Sequence, residues 1–128
     1  MDDLLKDSWN SINDPISKQI KQRIEKTGGK YFCNDNIEQY LEDGDLEKLT
    51  IEVQEKVQAL LDSLVINSAK DHNTQKTAER VARMFITEVF SGRYTTLPKI
   101  TSFPNITDYD QLYTTGPISV RSTCAHHM

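Results

Sequence analysis

Two long stretches of this chain repeat apolar residues at helical spacing, and they limit it to a fold in which helices pack through one face. From Asp45 to Leu64 apolar residues recur every three or four positions, and the residues between them are mostly Glu, Gln and Lys. A second pattern begins at Asn73 or Thr74 and runs to Phe90, with Gly92 as its stop. Both are predicted as amphipathic helices. Their apolar positions are Leu46, Leu49, Val53, Val57, Leu60, Leu61 and Leu64, then Ala78, Val81, Ala82, Phe85, Ile86, Val89 and Phe90.

The residues before Asp45 predict three shorter helices, over 2–12, from Pro15 to Gly28, and from about Asn34 to Leu41. In the second, three isoleucines recur every four residues and form a narrow apolar stripe. Such a stripe favours a helix that rests on another surface. A frayed N-terminal arm is an equal alternative. The isoleucines are Ile16, Ile20 and Ile24.

Length and composition restrict the class of protein. A chain of 128 residues allows one domain, and 37% apolar with 27% charged residues is typical of a folded helical protein. No apolar run reaches membrane-spanning length and the N-terminus lacks signal-peptide character, so we expect a cytoplasmic protein. Cys33 and Cys124 could pair in principle, but two cysteines in such a protein are expected to be reduced thiols. The net charge is −4 and no basic stripe is present, which argues against nucleic-acid binding.

After Phe90 the sequence changes character. Prolines, Asn and Asp between Ser91 and Asp110 predict an extended loop, and alternation from Ile118 to Ser122 predicts a strand. That strand leads into Cys124, His126 and His127. Cys124 and His127 are three residues apart, close enough for a thiolate and an imidazole to bind one zinc ion, whereas His126 points elsewhere, as a proton carrier would. The alternative is a tail, or a tag remnant, with incidental histidines.

Two arginines lie three residues apart beside the apolar face of the second long helix. Guanidinium groups placed like those of Arg80 and Arg83 are suited to hold a polyphosphate. The ordinary alternative is that they are solvated or pair with Glu79 and Glu88.

Four segments together resemble the GTP cyclohydrolase I family. The chain from Thr77 to Phe85, continuing through Glu88–Gly92 and Pro98–Thr101, looks like that family's helix and following loop. The segment Ser122–His127 looks like its Ser-Thr-Cys-Glu-His-His zinc motif. The resemblance implies an α+β tunnelling fold (T-fold), with N-terminal helices and an antiparallel sheet that assemble into a ring, commonly a decamer. It also implies a variable helical arm over 1–44 and a GTP cyclohydrolase I-like domain over 45–128.

The resemblance implies an activity and a role for each candidate residue. Family members hydrolyse the imidazole ring of GTP, release formate from C8 and form 7,8-dihydroneopterin triphosphate for tetrahydrofolate biosynthesis. Cys124 and His127 match two Zn²⁺ ligands, and His126 matches the histidine that handles protons at the purine. Arg80 and Arg83 match basic residues that contact the triphosphate.

This sequence departs from the family pattern at two points. Ala125 replaces the usual glutamate, which affects the surroundings of the metal ligands. The family's third zinc ligand, a cysteine, and its guanine-binding glutamate follow the motif, and no matching positions occur in these 128 residues. We therefore expect the chain alone to be inactive and to need a completing polypeptide. The alternatives are a non-catalytic relative that binds nucleotide or joins a ring and, more weakly, a helical adaptor.

Overall fold

The computed structural model describes residues 14–128, and within that range helices are the only regular secondary structure. The helix predicted over 2–12 lies outside the described residues. No helix in the described part is long and apolar enough to cross a membrane. The α-helices are α1 (Ile16–Lys26), α2 (Asp45–Ser63), α3 (Thr77–Met84) and α4 (Ser91–Tyr94). A 3-10 helix spans Glu38–Tyr40 and a π-helical turn spans Phe85–Val89.

Helix α1 contributes half of the main core. Its three isoleucines are buried, and Ile24 is only 1% exposed. They pack with three apolar residues from later in the chain, so α1 is an integral part of the fold and its apolar stripe is confirmed. The cluster consists of Ile16, Ile20, Ile24, Ile37, Leu49 and Ile86. The boundary between a 1–44 arm and a 45–128 domain stays a prediction.

Polar contacts fix α1 against α2. Arg23 pairs with the buried carboxylate of Asp45 at 2.7 Å and donates to the Tyr40 carbonyl at 2.7 Å. Near the start of α1, the Ser17 amide and hydroxyl both donate to the Glu52 carboxylate, at 2.9 and 2.6 Å. A carboxylate from α2 therefore satisfies a free N–H of the α1 terminus and complements its dipole.

The end of α1 depends on a pair of glycines. Gly28 has φ of +67°, a left-handed conformation that ends the helix at little steric cost. At Gly29 a Cβ atom would lie against the Tyr40 hydroxyl and 2.9 Å from the Ile24 side chain. The predicted stop at this glycine pair is confirmed.

The structure confirms one of the two long predicted helices and divides the other. The prediction for α2, Asp45 to Leu64, is confirmed to within one residue. The second pattern, predicted as a helix from Asn73 or Thr74 to Phe90, is not one continuous α-helix. Helix α3 begins at Thr77 and ends at Met84, and the π-helical turn over Phe85–Val89 follows it. There the Phe90 amide donates to the Phe85 carbonyl, five residues back. Gly92, predicted as the stop, lies inside α4, so the first four residues of the predicted loop are helical.

The predicted strand over 118–122 is not formed, and no strand occurs within 14–128. A strand is stabilised by hydrogen bonds to a neighbouring strand, and the described residues supply none for this segment. From Thr95 to Met128 every residue is exposed except Thr123, which is half-buried. The sheet of the expected α+β fold is therefore not part of the described structure.

We predict that Ile24→Ala lowers the free energy of unfolding by about 2–5 kcal/mol, because it leaves a cavity in the centre of the core. Urea unfolding followed by circular dichroism measures this change. Lys21→Ala is the matched control, since Lys21 is exposed on the same helix and such surface changes usually stay within about 0.5 kcal/mol. Equal effects of the two substitutions would contradict the assigned core.

Candidate functional site

The predicted zinc ligands lie on one exposed turn at the end of the chain. The Met128 amide donates to the Cys124 carbonyl at 2.9 Å and closes this turn. Cys124, His126 and His127 are all exposed, and Cys124 is a free thiol. The two imidazole rings are adjacent, with centroids 4.3 Å apart in an edge-on arrangement.

The donors on this turn suit zinc as part of a ligand set. A thiolate and an imidazole are the two commonest protein ligands of zinc, and a single turn carries both Cys124 and His127. Among residues 14–128, no group of three or more His, Cys, Asp or Glu side chains is placed to hold a metal ion. The turn therefore offers two donor side chains, and a complete zinc site would need at least one more ligand from elsewhere.

The candidate phosphate residues lie on the exposed side of α3. Arg80 donates to the Asn73 carbonyl at 3.2 Å and to the Thr77 hydroxyl at 3.3 Å, both neutral acceptors. Arg83 is exposed as well. Within the described residues neither arginine forms an ion pair, so pairing with Glu79 or Glu88 does not occur. Both positive charges remain available to an anionic ligand.

A groove of about 710 Å³ lies next to the turn. Three segments line it: residues 33–35, residues 87–93 and residues 121–123, and the last of these leads directly into Cys124. A volume of this size is within the range of small-molecule sites. Arg80 and Arg83 do not line this groove, so the groove does not bring the two arginines together with the Cys124–His127 turn.

One wall of the groove is held by Arg93, which the sequence analysis did not single out. Its guanidinium donates to backbone carbonyls of the 31–35 segment, including Cys33 at 3.1 Å and Asp35 at 2.8 Å. Its own carbonyl accepts the Ile37 amide at 2.8 Å. The partners are backbone groups about sixty residues away, so nothing in the sequence pattern could have indicated them.

Asn36 strengthens the same connection. Its amide nitrogen donates to the carbonyls of Gly92 and Thr95, both at 2.8 Å. Its side-chain oxygen accepts the Glu38 amide at 3.0 Å, a local contact of the Asx-turn type. In place of the predicted helix from about Asn34 to Leu41, the structure has only the 3-10 helix Glu38–Tyr40. Arg93 and Asn36 together fix the 31–37 segment to the C-terminal end of the α3–α4 region.

Two tyrosines near this segment have altered acidity. Burial raises the pKa of Tyr94, while the neighbouring Arg93 opposes that rise. The hydrogen bond from Tyr31 to the Glu25 carboxylate, at 2.8 Å, raises the pKa of Tyr31. Both phenols are therefore neutral at physiological pH, and neither is a candidate base.

Comparisons with known proteins agree with the motif. The family model described as GTP cyclohydrolase I matches residues 53–128. The GTP cyclohydrolase 1 of Haemophilus ducreyi is 32% identical over 84 residues, which cover 65% of this chain and 38% of the relative. That of Aliivibrio salmonicida is 34% identical over 77 residues, covering 59% and 35%. That of Edwardsiella ictaluri is 41% identical over 58 residues, covering 44% and 26%.

The chain spans less than two-fifths of the length of these curated relatives. No solved structure matches it. The family match covers more than half of the chain and includes α3, the following loop and the whole Cys124–His127 turn. This chain therefore belongs to the GTP cyclohydrolase I family.

Proposed function

We propose that this chain provides part of a zinc-dependent GTP cyclohydrolase I, which hydrolyses the imidazole ring of GTP to 7,8-dihydroneopterin triphosphate and formate. The observation that carries the proposal is the family match over 53–128, which contains a thiol and an imidazole donor on one exposed turn. The relatives named GTP cyclohydrolase 1 support the same reaction. A ring-shaped homo-oligomer with a T-fold sheet is part of the proposal.

Cys124 and His127 would hold the metal, with a third ligand from outside the described residues. When bound, zinc supplies the Lewis acidity that lets water attack C8 at neutral pH. The ring of His126 lies beside that of His127, and the family resemblance makes His126 the residue that would transfer a proton to N7 of the purine, which makes C8 more electrophilic. His126 is therefore assigned the proton transfer rather than a metal bond.

Arg80 and Arg83 would hold the triphosphate. Their guanidinium groups are exposed and without ion pairs among residues 14–128, so binding a phosphate breaks no salt bridge described here. Charge-assisted contacts to a remote part of the substrate fix the position of the reacting ring.

We predict that Arg80→Ala or Arg83→Ala lowers kcat/KM for GTP by about 10- to 150-fold, the equivalent of roughly 1.5–3 kcal/mol for one charged hydrogen bond. The assay uses the chain co-expressed with the part of a GTP cyclohydrolase 1 relative that follows the zinc motif, called here the complemented chain. Lys76→Ala, an exposed charge just before α3, is the matched control and should change kcat/KM little. If both arginine variants match the control, these residues do not bind the triphosphate.

A second candidate function is a non-catalytic relative that binds nucleotide or joins a family ring. The presence of Ala125 where the family motif has glutamate favours it, because a carboxylate that could orient a neighbouring ligand is missing. Ala125→Glu in the complemented chain separates the two functions. A non-catalytic relative gains turnover only with that substitution, whereas an enzyme turns over GTP without it.

A further inference from the structure

Two thiols are close to the same groove. Cys33 lines the groove, and Cys124 directly follows Thr123, which also lines it. Consecutive Cα atoms are about 3.8 Å apart, so the Cys124 backbone is one residue step from the lining. Both cysteines are free and exposed, and they are the two cysteines of the chain.

The two thiols belong to segments with different contacts. Cys33 belongs to the segment that Arg93 and Asn36 hold in place, with Arg93 donating to the Cys33 carbonyl itself. Cys124 belongs to a segment without helix or strand, whose residues are exposed apart from Thr123. A disulfide requires the two Cα atoms to lie within about 7 Å, and the segment of Cys124 has no helix or strand to hold it away from Cys33.

We propose that Cys33 and Cys124 form a reversible disulfide at this groove and that the disulfide is a modification site of the protein. A small-molecule disulfide such as glutathione disulfide supplies the oxidant. One cysteine attacks it, forms a mixed disulfide and releases one glutathione thiol. The second cysteine then attacks the protein sulfur of that mixed disulfide and releases the second glutathione thiol. Two protein thiols are oxidised and one glutathione disulfide is reduced, so atoms and electrons balance.

The modification has a consequence that rests on the proposed function. A sulfur in a disulfide is not a thiolate, and only the thiolate binds zinc. Oxidation thus removes Cys124 from the proposed metal site, and reduction restores it. Zinc bound at Cys124 in turn protects that thiol from the exchange.

The test incubates the dilute, purified chain with a glutathione redox buffer and measures the ratio of closed disulfide to mixed disulfide by intact mass. The same measurement is made in guanidinium chloride. We expect a ratio at least about tenfold higher in native buffer, because the fold keeps the two thiols near one another while the unfolded chain disperses them. Cys33→Ser should give mixed disulfide alone. A native ratio equal to the denatured one, or mainly intermolecular dimers, would overturn the proposal.

Zinc retention by the reduced Cys33→Ser variant of the complemented chain distinguishes the proposed disulfide from the proposed function. Retention equal to that of the unmodified complemented chain supports a role for Cys33 in the disulfide alone. Loss of zinc would make Cys33 a metal ligand and overturn its proposed role in a reversible disulfide. Disulfide closure in a protein that never binds zinc would leave the modification site standing and refute the proposed metal site.

Discussion

We expect Cys124→Ser to remove zinc from the complemented chain and to lower turnover of GTP by at least about a thousandfold. A serine hydroxyl does not ionise at neutral pH, so the site loses an anionic ligand. Loss of the metal removes several kcal/mol of stabilisation from the attack of water on C8, which corresponds to at least about three powers of ten in rate. Zinc content is measured by elemental analysis, and turnover by neopterin fluorescence after oxidation.

The control for Cys124→Ser is Cys33→Ser, which changes the other exposed free thiol, one outside the proposed ligand set. This variant should keep both zinc and turnover. The metal assignment fails if Cys124→Ser keeps stoichiometric zinc, or if the two variants behave alike.

We expect His126→Ala to lower kcat by about 10²- to 10⁴-fold and to leave zinc in place, because it removes the proposed proton donor rather than a proposed ligand. The two neighbouring histidines therefore give different results, although their rings are only 4.3 Å apart. His127→Ala should lose zinc and activity together. Each variant is measured for bound metal and for formate release in the same preparation.

His72→Ala serves as the control for His126→Ala, because His72 is an exposed histidine before α3 and has no proposed role. Loss of zinc in His126→Ala would make His126 a ligand and contradict its assignment to proton transfer. A kcat unchanged from that of the control would remove it from the reaction.

The spacing of apolar residues predicted the central helices because a helix that packs through one face buries a side chain every three or four positions. The stripe of α1 and the range of α2 agree with the structure. Leu60 and Leu64 belong to the same apolar pattern, yet they are 56% and 60% exposed at the end of α2. Periodicity identifies an apolar face, but it does not indicate whether another element of this chain covers that face.

The groove and the predicted strand depend on contacts with distant parts of a chain, which a local sequence pattern does not contain. Arg93 holds the 31–35 segment through backbone carbonyls, and every residue supplies a carbonyl, so no residue type marks the partners. The segment 118–122 has the alternation of a strand, but a strand also needs a neighbour to bond with. In the candidate site, residue type and spacing indicated the Cys124–His127 turn and the two arginines, and the roles of these residues remain proposals.

We propose that this chain carries two zinc ligands of a cyclohydrolase site and that the remaining ligands come from another part of the enzyme. The direct measurement is zinc content and neopterin formation for the chain alone and for the complemented chain, side by side. We expect the chain alone to retain substoichiometric, easily chelated zinc without turnover, because no third ligand joins Cys124 and His127 among the described residues. We expect the complemented chain to bind zinc stoichiometrically and to turn over GTP. Tight zinc and steady turnover in the chain alone, or neither in the complemented chain, would contradict this claim.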